Sequence, residues 1–167
     1  MYTILVSSLN ENMKLAKILQ EQLLTISIDS KIINLVELDL PLYDSNKEFK
    51  HGIPVQIEPL MKQMNTSLGY IVVAPEYNGS IPPVLSNAIA WISRTGDDFR
   101  QLFNEKVILL ATHSGSGGAG VTTAMRSQFM KLGAIVLSRE IITTYSIKLK
   151  KESSLKILKQ FIKFSQK

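Results

Sequence analysis

The stretch most able to do chemistry is Ala74-Pro75-Glu76-Tyr77-Asn78-Gly79-Ser80-Ile81-Pro82-Pro83, which follows a β-branched apolar run. Pro75 ends that run, and Gly79 lets the backbone approach a ligand closely. Pro82 and Pro83 stiffen the exit. A rigid loop of this kind exposes fixed amides and carbonyls, and Tyr77 adds an aromatic face. Such a loop suits a ring whose edge alternates donors and acceptors, as a flavin's pyrimidine edge does. An ordinary strand-to-helix connection could carry the same Gly and Pro residues.

A second candidate is Thr112-His113-Ser114-Gly115-Ser116-Gly117-Gly118-Ala119-Gly120. Residues 115–120 fit G-x-G-x-x-G between a strand and a helix, and Glu140 lies 20 residues beyond Gly120. That is formally a dinucleotide fingerprint. The fingerprint belongs to the first strand-to-helix turn of its fold, however, and this is the fourth. His113, alone at a strand end, reads as a hydrogen-bonded bystander more readily than as a catalytic group. The third candidate is Ser7-Ser8-Leu9-Asn10-Glu11-Asn12, where Ser8-x-x-Glu11 fits a helix capping box.

The elements that position these loops alternate strictly. Apolar runs at 3–7, 31–38, 70–74, 107–111 and 134–137 read as strands. Helical spacing marks 12–24, 55–66, 84–92, 120–132 and the lysine-rich end, 148–167. A loop is expected through Asp44-Ser45-Asn46. Alternation with continuous apolar strands predicts a single α/β domain over 1–167. Its doubly wound parallel sheet has five strands in flavodoxin-like order 2-1-3-4-5, with helices on both faces. Ligands of such sheets bind beyond the carboxyl ends of the strands, where the order reverses. Loops 7–12, 75–83 and 112–120 are therefore the ones to inspect.

Composition excludes several chemistries. With no cysteine there is no disulfide, thiolate metal site or cysteine nucleophile. Two histidines are too few for a histidine-built metal centre. The N-terminus lacks the pattern of a signal peptide, and no apolar run approaches the ~20 residues of a membrane span. A cytoplasmic location is the expectation. The net charge of +5 is concentrated at the end, where residues 148–167 hold seven lysines against Glu152. Leu155, Leu158, Phe161 and Ile162 form the opposite stripe, so the lysines read as a solvated helix face rather than a nucleic-acid footprint.

Residues 75–94 resemble the NAD(P)H-dependent FMN reductases, whose pattern here is P-E-Y-N-x-S-x-P-x-x-L-K-N-A-I-D-W-x-S-R. This chain departs only at Ser86 and Ala90. Asp39-Leu40-Pro41-Leu42-Tyr43-Asp44 and the glycine-rich fourth turn are similar to the family as well, and the likeness runs to about residue 137. The resemblance implies FMN, rather than FAD, held without a covalent bond. Hydride would pass from NAD(P)H to the flavin, and electrons onward to a small-molecule acceptor: a quinone, azo compound, metal ion or free flavin. It implies cofactor contacts from Pro75, Glu76, Tyr77, Asn78, Gly79 and Ser80 to the ring, and from Ser114, Gly115, Gly117 and Gly118 to its edge. Ser7, Ser8, Asn10 and Asn12 would serve the phosphate. No general acid, base or nucleophile is nominated, because the flavin carries the chemistry. Glu76 reads as a residue that fixes the loop.

The resemblance also implies a homodimer or homotetramer joined through helix 84–92, whose apolar arc is wider than one sheet face needs. A one-electron carrier, and a relative with weak or lost FMN binding acting as a regulator, are the alternatives. The first loop departs from the family's G-S-x-R-x-x-S-x-N. It is about three residues short and lacks the arginine, so weak phosphate binding is expected. In the capping box, Ser8 and Glu11 would also consume amides that a phosphate could use.

Overall fold

The computed structural model describes residues 1–166. Its elements run β1 (Tyr2–Val6), α1 (Glu11–Leu24), β2 (Ser30–Asn34), α2 (Ser45–His51), α3 (Ile57–Asn65) and β3 (Gly69–Val73). They continue with α4 (Pro83–Ile92), β4 (Val107–His113), α5 (Ala119–Lys131), β5 (Ile135–Val136), β6 (Ile141–Thr143) and α6 (Lys151–Ser165). The strands pair in the order β2-β1-β3-β4-β5, all parallel, and β6 also pairs with β4. β1 and β3 are buried along their whole length, as a sheet covered on both faces requires. One core lies under α3, α4 and α5, including Leu60, Trp91 and Phe129. The other lies under α1 and α6, including Leu19, Leu158 and Phe161.

The expected fifth strand is in fact an edge broken in two. β5 aligns with Val107 and Ile108, and β6 with Ala111 to His113. Arg126 holds the break open, its Nη1 donating to the Leu137 carbonyl at 2.9 Å. The second strand stops at Asn34 rather than at 38, because Asn34 Oδ1 accepts from the Val36 amide at 3.1 Å and starts a turn. The expected loop near 44–46 opens a helix instead. Asp44 caps α2, accepting from the Lys47 amide at 2.8 Å.

The apolar arc of α4 is buried within the chain itself. Leu85, Ala88, Ile89, Trp91 and Ile92 are all covered. Trp91 is roofed by the segment before α2, its Nε1 donating to the Pro41 carbonyl at 2.7 Å and its ring meeting Tyr43 edge-on at 5.0 Å. The width of the arc therefore reflects two coverings, the sheet and residues 40–43. The lysines of α6 at 151, 156, 159 and 163 face outward, opposite buried Leu158, Phe161 and Ile162. Lys167 lies outside the described residues.

Candidate cofactor site

The loops after β1, β3 and β4 meet at the carboxyl edge, where the sheet order turns. A cleft of about 330 Å³ opens there, lined by Ser7, Ser8 and Asn10 on one side and by Tyr77, Pro82 and Pro83 on the other. That volume is in the range of small-molecule sites.

The β3 exit is a miniature hairpin. Tyr77 and Ser80 exchange both main-chain hydrogen bonds, at 3.1 and 3.0 Å, around Asn78 and Gly79 at φ +51° and +73°. Two central residues at positive φ make the tight turn that Asn-Gly favours. Asn-Gly is the sequence signature of this turn, so Gly79 supplies the positive φ as well as room for close approach. The hairpin leaves Tyr77 55% exposed beside the cleft.

Glu76 ties this hairpin to the loop after β4. Its Oε2 accepts from Ser114 Oγ at 2.5 Å, Ser116 Oγ at 2.8 Å and the Gly118 amide at 3.0 Å. The Ser114 and Ser116 hydroxyls hold its carboxyl below the usual range. This is the loop-fixing role expected of Glu76. It also commits the side chain of Ser114 and the amide of Gly118 to the frame rather than to a ligand. Gly120 is needed for the same approach: a Cβ there would stand 2.3 Å from the Gly79 carbonyl oxygen and 2.5 Å from Glu76 Oε1. By contrast, nothing lies within 4 Å of the Cβ position at Gly79 or Gly117. The backbone is open to a ligand at those two places.

The β1 exit differs from its capping-box reading. Asn10, not Ser8, precedes the first turn of α1, and no side chain caps it. Ser8 Oγ accepts from the Asn10 amide at 3.3 Å, and Glu11 turns to Lys14 at 2.6 Å. The ammonium one turn on outcompetes the Ser8 amide for the carboxylate, and it holds the Glu11 carboxyl below its usual range. The amides at the start of α1 are therefore not consumed by a box. They are the donors a helix leaves for an anion. Ser7 is buried, its amide donating to the Val73 carbonyl at 3.1 Å.

Asn12 is buried too, and both ends of its amide are committed. Oδ1 accepts from the His113 amide at 2.7 Å, and Nδ2 donates to the His113 carbonyl at 2.9 Å. Its side chain thus braces the end of β4 instead of facing the cleft. The loop 114–118 is consequently strung between two side chains, Asn12 behind it and Glu76 in front. No feature of the sequence marked Asn12 for this bracing.

The formal fingerprint at 115–120 has no acidic residue free for a ribose at Glu140. Glu140 accepts from Thr122 Oγ1 at 3.1 Å and pairs with Arg126 at 3.0 Å, so it serves the broken edge strand and not a ribose.

A doubly wound sheet with a cleft at its reversal point is the architecture of flavodoxin-like proteins. Residues 3–146 match the family described as NADPH-dependent FMN reductase, and the chain belongs to that family. A quinone reductase of Escherichia coli K12 is 37% identical over 103 residues, 60% of this chain and 53% of that protein. A probable NADPH:quinone oxidoreductase 2 of rice is 30% identical over 94 residues, 56% of this chain and 45% of that one. The chain thus spans about half the length of these curated relatives. Among solved structures, FerB, a flavoenzyme NAD(P)H:(acceptor) oxidoreductase from Paracoccus denitrificans, superposes with a TM-score of 0.81. That match covers 99% of this chain and 96% of FerB at 19% identity, a likeness of fold. No described helix is long and apolar enough to cross a membrane.

Proposed function

We propose that the protein is an NAD(P)H-dependent oxidoreductase that holds FMN at this cleft and reduces a small-molecule acceptor, with quinones the favoured class. The observation that carries the reading is the pair of loops, 75–80 and 114–118, clamped together by Glu76 around open backbone at Gly79 and Gly117. The donor set suits FMN. Ser8, Asn10 and the first amides of α1 offer a phosphate neutral donors, and Tyr77 offers a ring face. The relatives favour quinones over azo compounds, metal ions or free flavin, since their names record quinone reduction.

When bound, FMN would supply the hydride- and electron-transfer chemistry between NAD(P)H and the acceptor. The chain's own part is positional. Asn12 and Glu76 hold the 114–118 backbone in register with the 75–80 hairpin, so that amides meet the ligand without rearrangement. Pro82 and Pro83 stiffen the wall of the cleft. Reduction of a quinone by the NADPH-supplied protein, with parallel initial-rate lines at several quinone concentrations, tests the reading. Intersecting lines, or no turnover without a partner reductase, would count against it. Assembly as a homo-oligomer belongs to the same proposal. Its support lies in the segment around α2, a helix with no buried residue, where Leu42, Phe49 and Val55 are 69%, 91% and 84% exposed.

A further inference from the structure

The net positive charge of the chain sits in one place. Between Lys148 and Lys163, six lysines at 148, 150, 151, 156, 159 and 163 stand against Glu152 alone. Six positive charges less one give +5, the net charge of the whole chain, so the remaining charges cancel. All six lysines are exposed, and none pairs with a carboxylate among the described residues. Lys156, Lys159 and Lys163 follow one another at spacings of three and four, which makes one stripe along the outside of α6. The opposite side of α6 is buried at Leu158, Phe161 and Ile162, so the helix cannot roll and the stripe is fixed outward.

A second feature adjoins the stripe. After β6 the chain makes a tight turn, in which the Thr144 amide donates to the Ile147 carbonyl at 2.9 Å and Thr144 Oγ1 accepts from the Ile147 amide at 2.8 Å. The turn holds Tyr145 and Ile147 outward, 71% and 56% exposed, immediately before Lys148. Phe164, also exposed, follows Lys163 at the other end. Lysines bordered by exposed aromatic and aliphatic side chains suit the headgroup layer of a bilayer. The charges meet anionic lipid there, and the ring and alkyl groups reach the acyl boundary. A nucleic-acid backbone would use the charges but has no place for the isoleucine.

The turn also sets the orientation. Tyr145 packs edge-on against the His113 ring at 5.1 Å, and its Cε2 lies 4.0 Å from the Cβ position at Gly115. It therefore abuts the loop 114–118, on the carboxyl edge of the sheet where the cleft opens. A membrane that meets the turn and the stripe lies beside that edge.

We propose that the Tyr145–Ile147 turn and the lysines from 148 to 163 form a docking surface for an anionic phospholipid bilayer, and that docking gives the cleft access to a quinone dissolved in the lipid. The source of the acceptor rests on the functional reading above; the docking surface does not.

The test is cosedimentation of the full chain with vesicles of phosphatidylcholine alone and of an equal mixture of phosphatidylcholine and phosphatidylglycerol. Binding to the mixed vesicles only is expected, weakened about tenfold when sodium chloride is raised from about 0.05 to about 0.3 M. The triple variant Lys156→Gln/Lys159→Gln/Lys163→Gln should bind about a hundredfold more weakly, about fivefold for each lysine. Ile147→Ser should cost severalfold at either salt concentration. Neither variant should alter the reduction of a water-soluble quinone. No binding to the mixed vesicles at low salt, or undiminished binding by the triple variant, would overturn the docking surface. Tighter binding to a short DNA duplex than to the mixed vesicles would overturn it as well and make the stripe a nucleic-acid surface. Reduction of a long-chain quinone no faster in mixed than in phosphatidylcholine vesicles, with binding intact, would overturn the lipid source of the acceptor. Intact binding by a protein that reduces no quinone, water-soluble ones included, would uphold the surface and sink the functional reading instead.

Discussion

At Glu76, two hydroxyls and an amide converge on one carboxylate oxygen, and the side chain joins the two loops that would flank a flavin. Glu76→Gln keeps the shape but loses the charge that strengthens those bonds. It should cost about 1–2 kcal/mol of stability by chemical denaturation and weaken FMN severalfold. The pH dependence has a definite sign. The folded carboxyl titrates below its ordinary value, so its stabilisation is complete above the unfolded carboxylate range, about pH 4.3. It is lost as pH falls through the folded value. Wild type should therefore lose more stability than Glu76→Gln on acidification below about pH 4. An equal loss would remove Glu76 from the frame.

Glu11 makes a second case at this scale. It places a carboxylate at the start of α1 and occupies Lys14. Glu11→Gln should tighten FMN by about three- to tenfold and leave riboflavin, which has no phosphate, unchanged by calorimetry. The Ser8-x-x-Glu11 pattern was legible, but its meaning was not, because spacing alone cannot rank Lys14 against a backbone amide. Glu76 was readable as a fixing residue only because hydride transfer to a flavin requires no carboxylate. Its partners 38 to 42 residues away were not readable at all.

Among the elements, α4 shows what the long sequence pattern encodes. Asn87 and Trp91, one turn apart, hold the segment before α2. Asn87 Oδ1 accepts from the Tyr43 amide at 2.8 Å, and its Nδ2 donates to the Pro41 carbonyl at 3.1 Å. Asn87→Ala would leave the Tyr43 main-chain amide unpaired, while the Pro41 carbonyl would keep its bond from Trp91. About 1–3 kcal/mol of stability should be lost, with a changed emission from Trp91, the single tryptophan. Unchanged stability would mean that the segment is held by other contacts. The alternation of strands and helices was legible because buried parallel strands are continuous apolar runs. The broken edge was not. Ile141-Ile142-Thr143 is only three residues long, and its separation from β5 depends on Arg126, a residue on the preceding helix. The width of the α4 arc was seen correctly, yet a sequence pattern does not say whether the cover comes from another subunit or from residues 40–43.

For the whole molecule, α4 carries no exposed large apolar residue, whereas Leu42, Phe49, Ile53 and Val55 are exposed together around α2. Phe49→Asp should shift the protein toward the monomer in light scattering at micromolar concentration, while wild type remains a dimer or larger. A monomeric wild type would end the assembly proposal. Four lysines near the end of the chain, at 151, 156, 159 and 163, lie on the outer face of α6, and none of them lines the cleft. The central claim is that these loops form one FMN site. Its most direct measurement is titration of the purified protein with FMN, followed under anaerobic conditions by addition of NADPH. The account predicts saturation at one FMN per chain and bleaching of the bound flavin by NADPH without a partner protein. Failure to bind FMN at saturating concentration, or preferential retention of FAD, would contradict it.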